Sequence, residues 1–138
     1  MTPTLLILGG SLFALLGLLH ALYTFADISR PRRLVPNDPA VMQAMSSSGV
    51  RLARGGTTMW RAWVGFNFSH SLGAILFGSA CILVARSLRL LALPKPALLV
   101  PVAIAALYLV LAIRYWFRIP ALGIAAATLC FLAAWLLY

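Results

Sequence analysis

The chain has 138 residues, 63% of them hydrophobic and 9% charged, with 11 Lys and Arg against 2 Asp and Glu; its mean hydropathy is +1.00. A soluble domain of this size needs a charged surface that this composition does not supply, so the chain reads as a membrane protein. The net charge of +9 does not point to nucleic acid, because the basic residues lie between and just beyond apolar runs, where topology determinants and headgroup contacts belong.

About 20 apolar residues cross roughly 30 Å of hydrocarbon, which leaves room for four spans and one sizeable loop in a single transmembrane domain, 1–138. The first span is expected at 4–26, "TLLILGGSLFALLGLLHALYTFA". The preceding "MTPT" holds no Lys or Arg and no small-residue cleavage site comes after the run, so it reads as a retained span. Next comes a connection over 27–57. Asn37 or Asp38 is placed to cap a short helix that begins at Pro39 and runs to about Ser48, lying at the interface with Met42 and Met45 on one side. Gly55 and Gly56 break the chain, and Thr57 or Thr58 caps the next helix.

The second span is expected at 58–85, succeeded by a basic, proline-containing turn, "RSLRLLALPKP". The third covers 97–118. The fourth, 120–138, starts almost without a loop, with Pro120 at or near its first helical position. Of the 11 basic residues, eight (Arg30, Arg32, Arg33, Arg51, Arg54, Arg61, Arg114 and Arg118) sit with the first and third connections, and three (Arg86, Arg89 and Lys95) sit on the other side. That bias expects loops 27–57 and 117–119 in the cytoplasm and both termini outside. Trp60, Trp63 and Trp116 then form one aromatic belt, and Trp135 and Tyr138 the other.

Helical spacing gathers the polar residues into stripes. Gly10, Phe13, Gly17, His20, Thr24 and Asp27 share one face of the first span. Trp63, Asn67, His70, Ser71, Ala74 and Gly78 share one face of the second, and Tyr108, Ala112 and Tyr115 one face of the third. Small residues mixed with polar ones mark a face turned toward protein. Counted from the expected span ends at 1.5 Å per residue, His20 lies about 9 Å in, and Asn67 and His70 about 13 to 18 Å in. The expected layers are Asp27, Thr24 and Tyr115 near the surface, His20 and Asn67 below them, then His70, Ser71 and Tyr108. Ser69 points off the stripe and is free to bond back to its own helix, while Arg61 and Arg114 turn away from the cluster.

Three chemistries suit this cluster. As a polar zipper, it fixes helix register at under about 1 kcal/mol per hydrogen bond. As a pocket toward the cytoplasmic leaflet, covered by the first connection, it receives a quinone, a lipid headgroup or another amphipathic molecule, with His20 and His70 as donors or a proton relay and Asp27 orienting His20. As a b-type haem site, it uses His20 and His70 as axial ligands, although the estimated depth difference of about two turns opposes that. Catalysis by paired carboxylates is excluded, because Asp27 is the only carboxylate at membrane level. No Ser-His-Asp arrangement is visible, which leaves only His acid/base chemistry for an enzyme. Cys81 and Cys130 lack both disulfide-framework and metal-ligand spacing. No other metal site is expected, and neither is a channel or transporter.

Across "TTMWRAWVGFNFSHSLGAILFG", "LLGLLHALYTFAD" and "IRYWFRIPALGIAAA" the chain resembles a group of small bacterial four-span integral membrane proteins. The resemblance implies the fold and draws attention to His20, Trp60, Arg61, Asn67 and His70, but it brings no activity. The sequence therefore leads to an antiparallel, all-α bundle of four transmembrane helices with a partly helical first loop, in a bacterial cytoplasmic membrane. The expected role is non-enzymatic, structural or ligand-binding, and without cofactor. The alternatives are a haem b electron carrier and a lipid- or quinone-directed enzyme. The partners expected are membrane lipids, with an oligomer or a second membrane protein also compatible.

Overall fold

Long apolar runs propagate as helices wherever proline is kept to their first turns, because the first N–H groups of a helix have no intrahelical acceptor to lose. A computed structural model describes residues 1–138 except the side chains of Arg89 and Leu90, and it obeys this rule. The helices are α1 (Thr2–Ser29), α2 (Pro39–Ser47), α3 (Met59–Leu91), α4 (Leu99–Tyr115) and α5 (Arg118–Leu136). Pro3, Pro39, Pro101 and Pro120 all fall within the first three positions of a helix. The protein is an all-α antiparallel bundle, and four of its helical segments are long and apolar enough to cross a membrane. Composition and helix length together make it an integral membrane protein.

The ends of the helices differ in places from the spans expected from the sequence. α1 runs on to Ser29 and stops where Arg30 precedes Pro31, a position biased away from helical backbone. Asp27 therefore sits in the last helical turn, not in the loop. The basic stretch after residue 85 is helical as far as Leu91, which puts Arg86 on α3; Arg89, expected on the same side, has a side chain outside the described residues. Ala92 then turns left-handed, with φ 44°. α4 closes at Tyr115 and α5 opens at Arg118, with Trp116 and Phe117 extended between them.

The first connection is built by local chemistry. Asp38 caps α2, its carboxylate accepting the Ala40 N–H at 2.8 Å. Residues 48–59 close on themselves: the Met59 N–H donates to the Ser48 carbonyl at 2.9 Å and the Val50 N–H to that of Thr57 at 3.2 Å. Between them lies a single 3-10 turn, Arg51–Ala53, and the left-handed pair Arg54 and Gly55 reverses the chain. Thr58 caps α3, accepting the Arg61 N–H at 3.3 Å. Both candidate cap pairs thus resolve to their second member.

The chain divides into two compact units, one of Met1–Leu16 with Ala74–Tyr138, the other of Gly17–Gly73. In the first, four rings meet, one from each long helix. Phe13 stands edge-on to Phe77 with centroids 4.8 Å apart and to Tyr108 at 5.4 Å, and Phe131 lies 6.2 Å from Phe13 and 5.7 Å from Phe77. These spacings are those of favourable aromatic pairs. Gly10 and Gly78 let α1 and α3 touch backbone to backbone, since a Cβ on Gly10 would stand 2.6 Å from the Gly78 carbonyl oxygen. Small residues at such a crossing are how helices approach in lipid. Leu6, Ala105, Ile124, Ala127 and Ala134 are among the other buried residues of this apolar core.

The unit of Gly17–Gly73 has a different interior. Its buried side chains are Thr24, Asp27, Asn67 and Ser71, and its large apolar residues are half-buried or exposed.

Candidate functional site

The buried polar side chains of the second unit converge because α1 and α3 each place them at i, i+3 and i+4 on one face. His20 Nε2 and Asn67 Oδ1 are 2.8 Å apart. Asn67 Nδ2 donates to the Trp63 carbonyl at 2.8 Å, and that contact fixes which way the amide faces, because a carbonyl only accepts. Oδ1 therefore faces the imidazole, and His20 donates through a protonated Nε2. Ser71 Oγ donates to the Asn67 carbonyl at 2.8 Å, and Thr24 Oγ1 donates to that of His20 at 2.9 Å. Both hydroxyls thus bond back within their own helices. The His70 ring meets the His20 ring edge to face with centroids 5.4 Å apart.

That proximity corrects the expected depth difference of about two turns. α1 ends at Ser29 and α3 begins at Met59, so His20 lies about 13 Å and His70 about 16 Å from the ends of their helices at 1.5 Å per residue. The two imidazoles occupy one layer.

Asp27 does not orient His20. Its carboxylate accepts the backbone N–H groups of Arg32 at 2.9 Å, Arg33 at 3.2 Å and Leu34 at 2.6 Å. An acid in the last turn of a helix faces the negative end of the dipole, and three charge-assisted bonds offset that cost. The segment so anchored is tied to α3 as well, since Trp63 Nε1 donates to the Leu34 carbonyl at 2.8 Å. A continuous chain of contacts then runs from Asp27 through Leu34, Trp63 and Asn67 to His20. Among the described residues no buried side-chain nitrogen or oxygen lacks a partner.

Above Trp63 lies an open recess of about 360 Å³ lined by Arg33, Leu34, Val35, Pro36, Met45 and Trp63. The Arg33 guanidinium lies over the Tyr23 ring, 4.9 Å from its centroid, within the range of a cation–π contact. Below the recess Trp63, Phe66 and His70 form a ladder of near-parallel rings, 6.3 and 6.2 Å apart.

The eight sequence candidates thus separate. His20, Thr24, Asn67, His70 and Ser71 come together, and Asp27 anchors the connection beside them. Tyr108 and Tyr115 belong to the other unit, where Tyr108 packs against Phe13 and Trp116 and Tyr115 is 72% exposed. Ser69 bonds to the Phe66 carbonyl at 2.9 Å. The pocket expected from the sequence had the first connection as its cover; here that connection forms most of the walls of the recess, and the role of Leu34 was not expected. The signal for both was present in an aspartate at a helix C-terminus just before "SRPRRLVP", a place an acid rarely occupies without N–H donors nearby.

The arrangement limits the chemistry. Thr24, Ser69 and Ser71 each donate to a main-chain carbonyl and Asp27 is engaged by N–H groups, so none of these three hydroxyls is activated by a His–Asp pair. The two histidines named as axial ligands in the haem alternative stand ring to ring, with His20 Nε2 engaged by Asn67. No group of three or more His, Cys, Asp or Glu gathers among the described residues. No family model, no curated protein and no solved structure matches the chain.

Proposed function

We propose that the protein is a non-enzymatic component of a bacterial cytoplasmic membrane, in which the His20–Asn67 network is a scaffold that holds the first connection over a binding recess for an amphipathic small molecule. The first and third connections face the cytoplasm on this reading and both termini lie outside, as the excess of arginine in the first connection supports. One observation carries the reading. The contacts from Asp27 to His20 join two helices and the connection into one piece, and the apolar wall beside them stays open. Loops held over a rigid scaffold are where binding sites commonly form.

A thermal-shift series with phospholipids and quinones tests it. The wild type is expected to be stabilised by at least one of them, and Trp63→Ala, which removes one wall of the recess, is expected to lose that response. A wild type that responds to none, or a response that persists in Trp63→Ala, contradicts the reading. Thiol labelling of single cysteines introduced at Ser48 and Tyr138 in a background lacking Cys81 and Cys130 tests the orientation. Ser48→Cys should be reached only from the cytoplasmic side and Tyr138→Cys only from outside.

A further inference from the structure

The walls of the recess narrow the ligand class, granted the binding role just proposed. Five of the six lining residues present carbon: Leu34, Val35, Pro36, Met45 and the face of Trp63. The polar groups nearest to them are already engaged. The Trp63 N–H donates to Leu34, and the N–H groups of 32–34 donate to Asp27. A quinone carries carbonyls on both sides of its ring, and on these walls only the Arg33 side chain is left to donate to one of them. The remaining polar feature is the Arg33 guanidinium at one end, steadied over Tyr23.

Charge complementarity then decides the occupant. The whole chain carries only 2 carboxylate side chains, Asp27 and Asp38, and both accept backbone N–H bonds. Arg30, Arg32 and Arg33 are exposed; Asp27 feels the Arg33 charge, but one carboxylate already held by main-chain N–H groups does not balance three guanidinium groups. An anion from outside the chain fits there. A free phosphate would meet Arg33 but leave the apolar walls uncovered, whereas a lipid covers both. The recess also sits beside the end of α1 and the start of α3, at headgroup depth if these helices span.

We propose that this recess seats one anionic phospholipid, its phosphate against Arg33 and the start of its acyl chains along Leu34–Pro36, Met45 and Trp63. Recognition is by charge through a single guanidinium, so it selects anionic over zwitterionic lipid and does not read headgroup shape.

The test uses the full chain in detergent, titrated with phosphatidylglycerol, phosphatidylcholine or inorganic phosphate, with bound lipid counted by native mass spectrometry. Phosphatidylglycerol is expected to bind about fivefold more tightly than phosphatidylcholine, the upper end of what one exposed ion pair contributes. Arg33→Gln should remove that preference and Arg33→Lys should keep most of it, while Lys95→Gln leaves it unchanged. Met45→Trp, which fills the recess from a helix without buried residues, should block both lipids. Equal affinity for the two lipids in the wild type, or a preference untouched by Arg33→Gln, overturns the proposal. If Met45→Trp still blocks both in that case, the binding recess survives and only the anionic assignment falls. Displacement of phosphatidylglycerol by inorganic phosphate overturns it in favour of a free-anion site. Lipid binding unaffected by Met45→Trp sinks the proposal and the binding recess together.

Discussion

In the unit formed by residues 1–16 and 74–138 the innermost side chains include Phe13, Phe131 and Leu6, whereas in the unit formed by 17–73 they are Asp27, Ser71, Thr24 and Asn67. The first interior is held by shape: four interlocked rings and a glycine crossing at which α1 and α3 meet without side chains between them. The second is held by direction, through hydrogen bonds that join α1, the first connection and α3. Lipid tails are as apolar as leucine, so burying carbon gives helices in a bilayer little drive to associate. Close packing and polar contacts must do it. Here the two mechanisms are separated along the same two helices, and the polar one lies where a long connection has to be held in place.

If that division holds, the largest effect should come from the apolar unit. Phe13→Ala removes the ring that touches Phe77, Tyr108 and Phe131, and should cost about 3 kcal/mol or more, seen as a marked fall in Tm or in resistance to denaturing detergent. Asp27→Asn should come next, at about 2 kcal/mol, but with a different signature. Hydrogen exchange at the amides of 32–34 should accelerate while α4 and α5 keep their protection. Exchange that rises equally in both units would erase the distinction between them.

Asn67→Ala should cost about 1 kcal/mol, the usual worth of an interhelical hydrogen bond in a membrane. A double-mutant cycle with His20→Ala should recover most of that as coupling; additive losses would mean that the two side chains act independently. Ser71→Ala should have the smallest effect, under about 0.5 kcal/mol, because its hydroxyl only bonds back within α3.

The helices and their protein-facing stripes were legible from spacing alone: in α1 the buried positions 10, 13, 17, 24 and 27 lie on the expected face. Depth was not legible, because it was counted from span ends inferred from hydropathy. The end of α1 lies three residues further on at Ser29 and the start of α3 one residue later at Met59, which removes most of the expected difference between His20 and His70. The direction of Asp27 was hidden for a related reason. A carboxylate two turns along the helix from a histidine suggests an orienting pair, but the nearest strong donors were main-chain N–H groups ahead of it, which no periodicity displays. Tyr108 shares a helical face with Tyr115 by spacing, yet an aromatic ring beside Phe13 is a packing element first.

The central claim is that Asn67 and the histidine of α1 hold one another inside the protein, with the imidazole donating. Nitrogen NMR of the His20 side chain at mildly alkaline pH reads this directly. In the wild type the ring should be a single tautomer protonated at Nε2, and that tautomer should be lost in Asn67→Ala. A ring protonated at Nδ1, or a spectrum indifferent to Asn67→Ala, would contradict it.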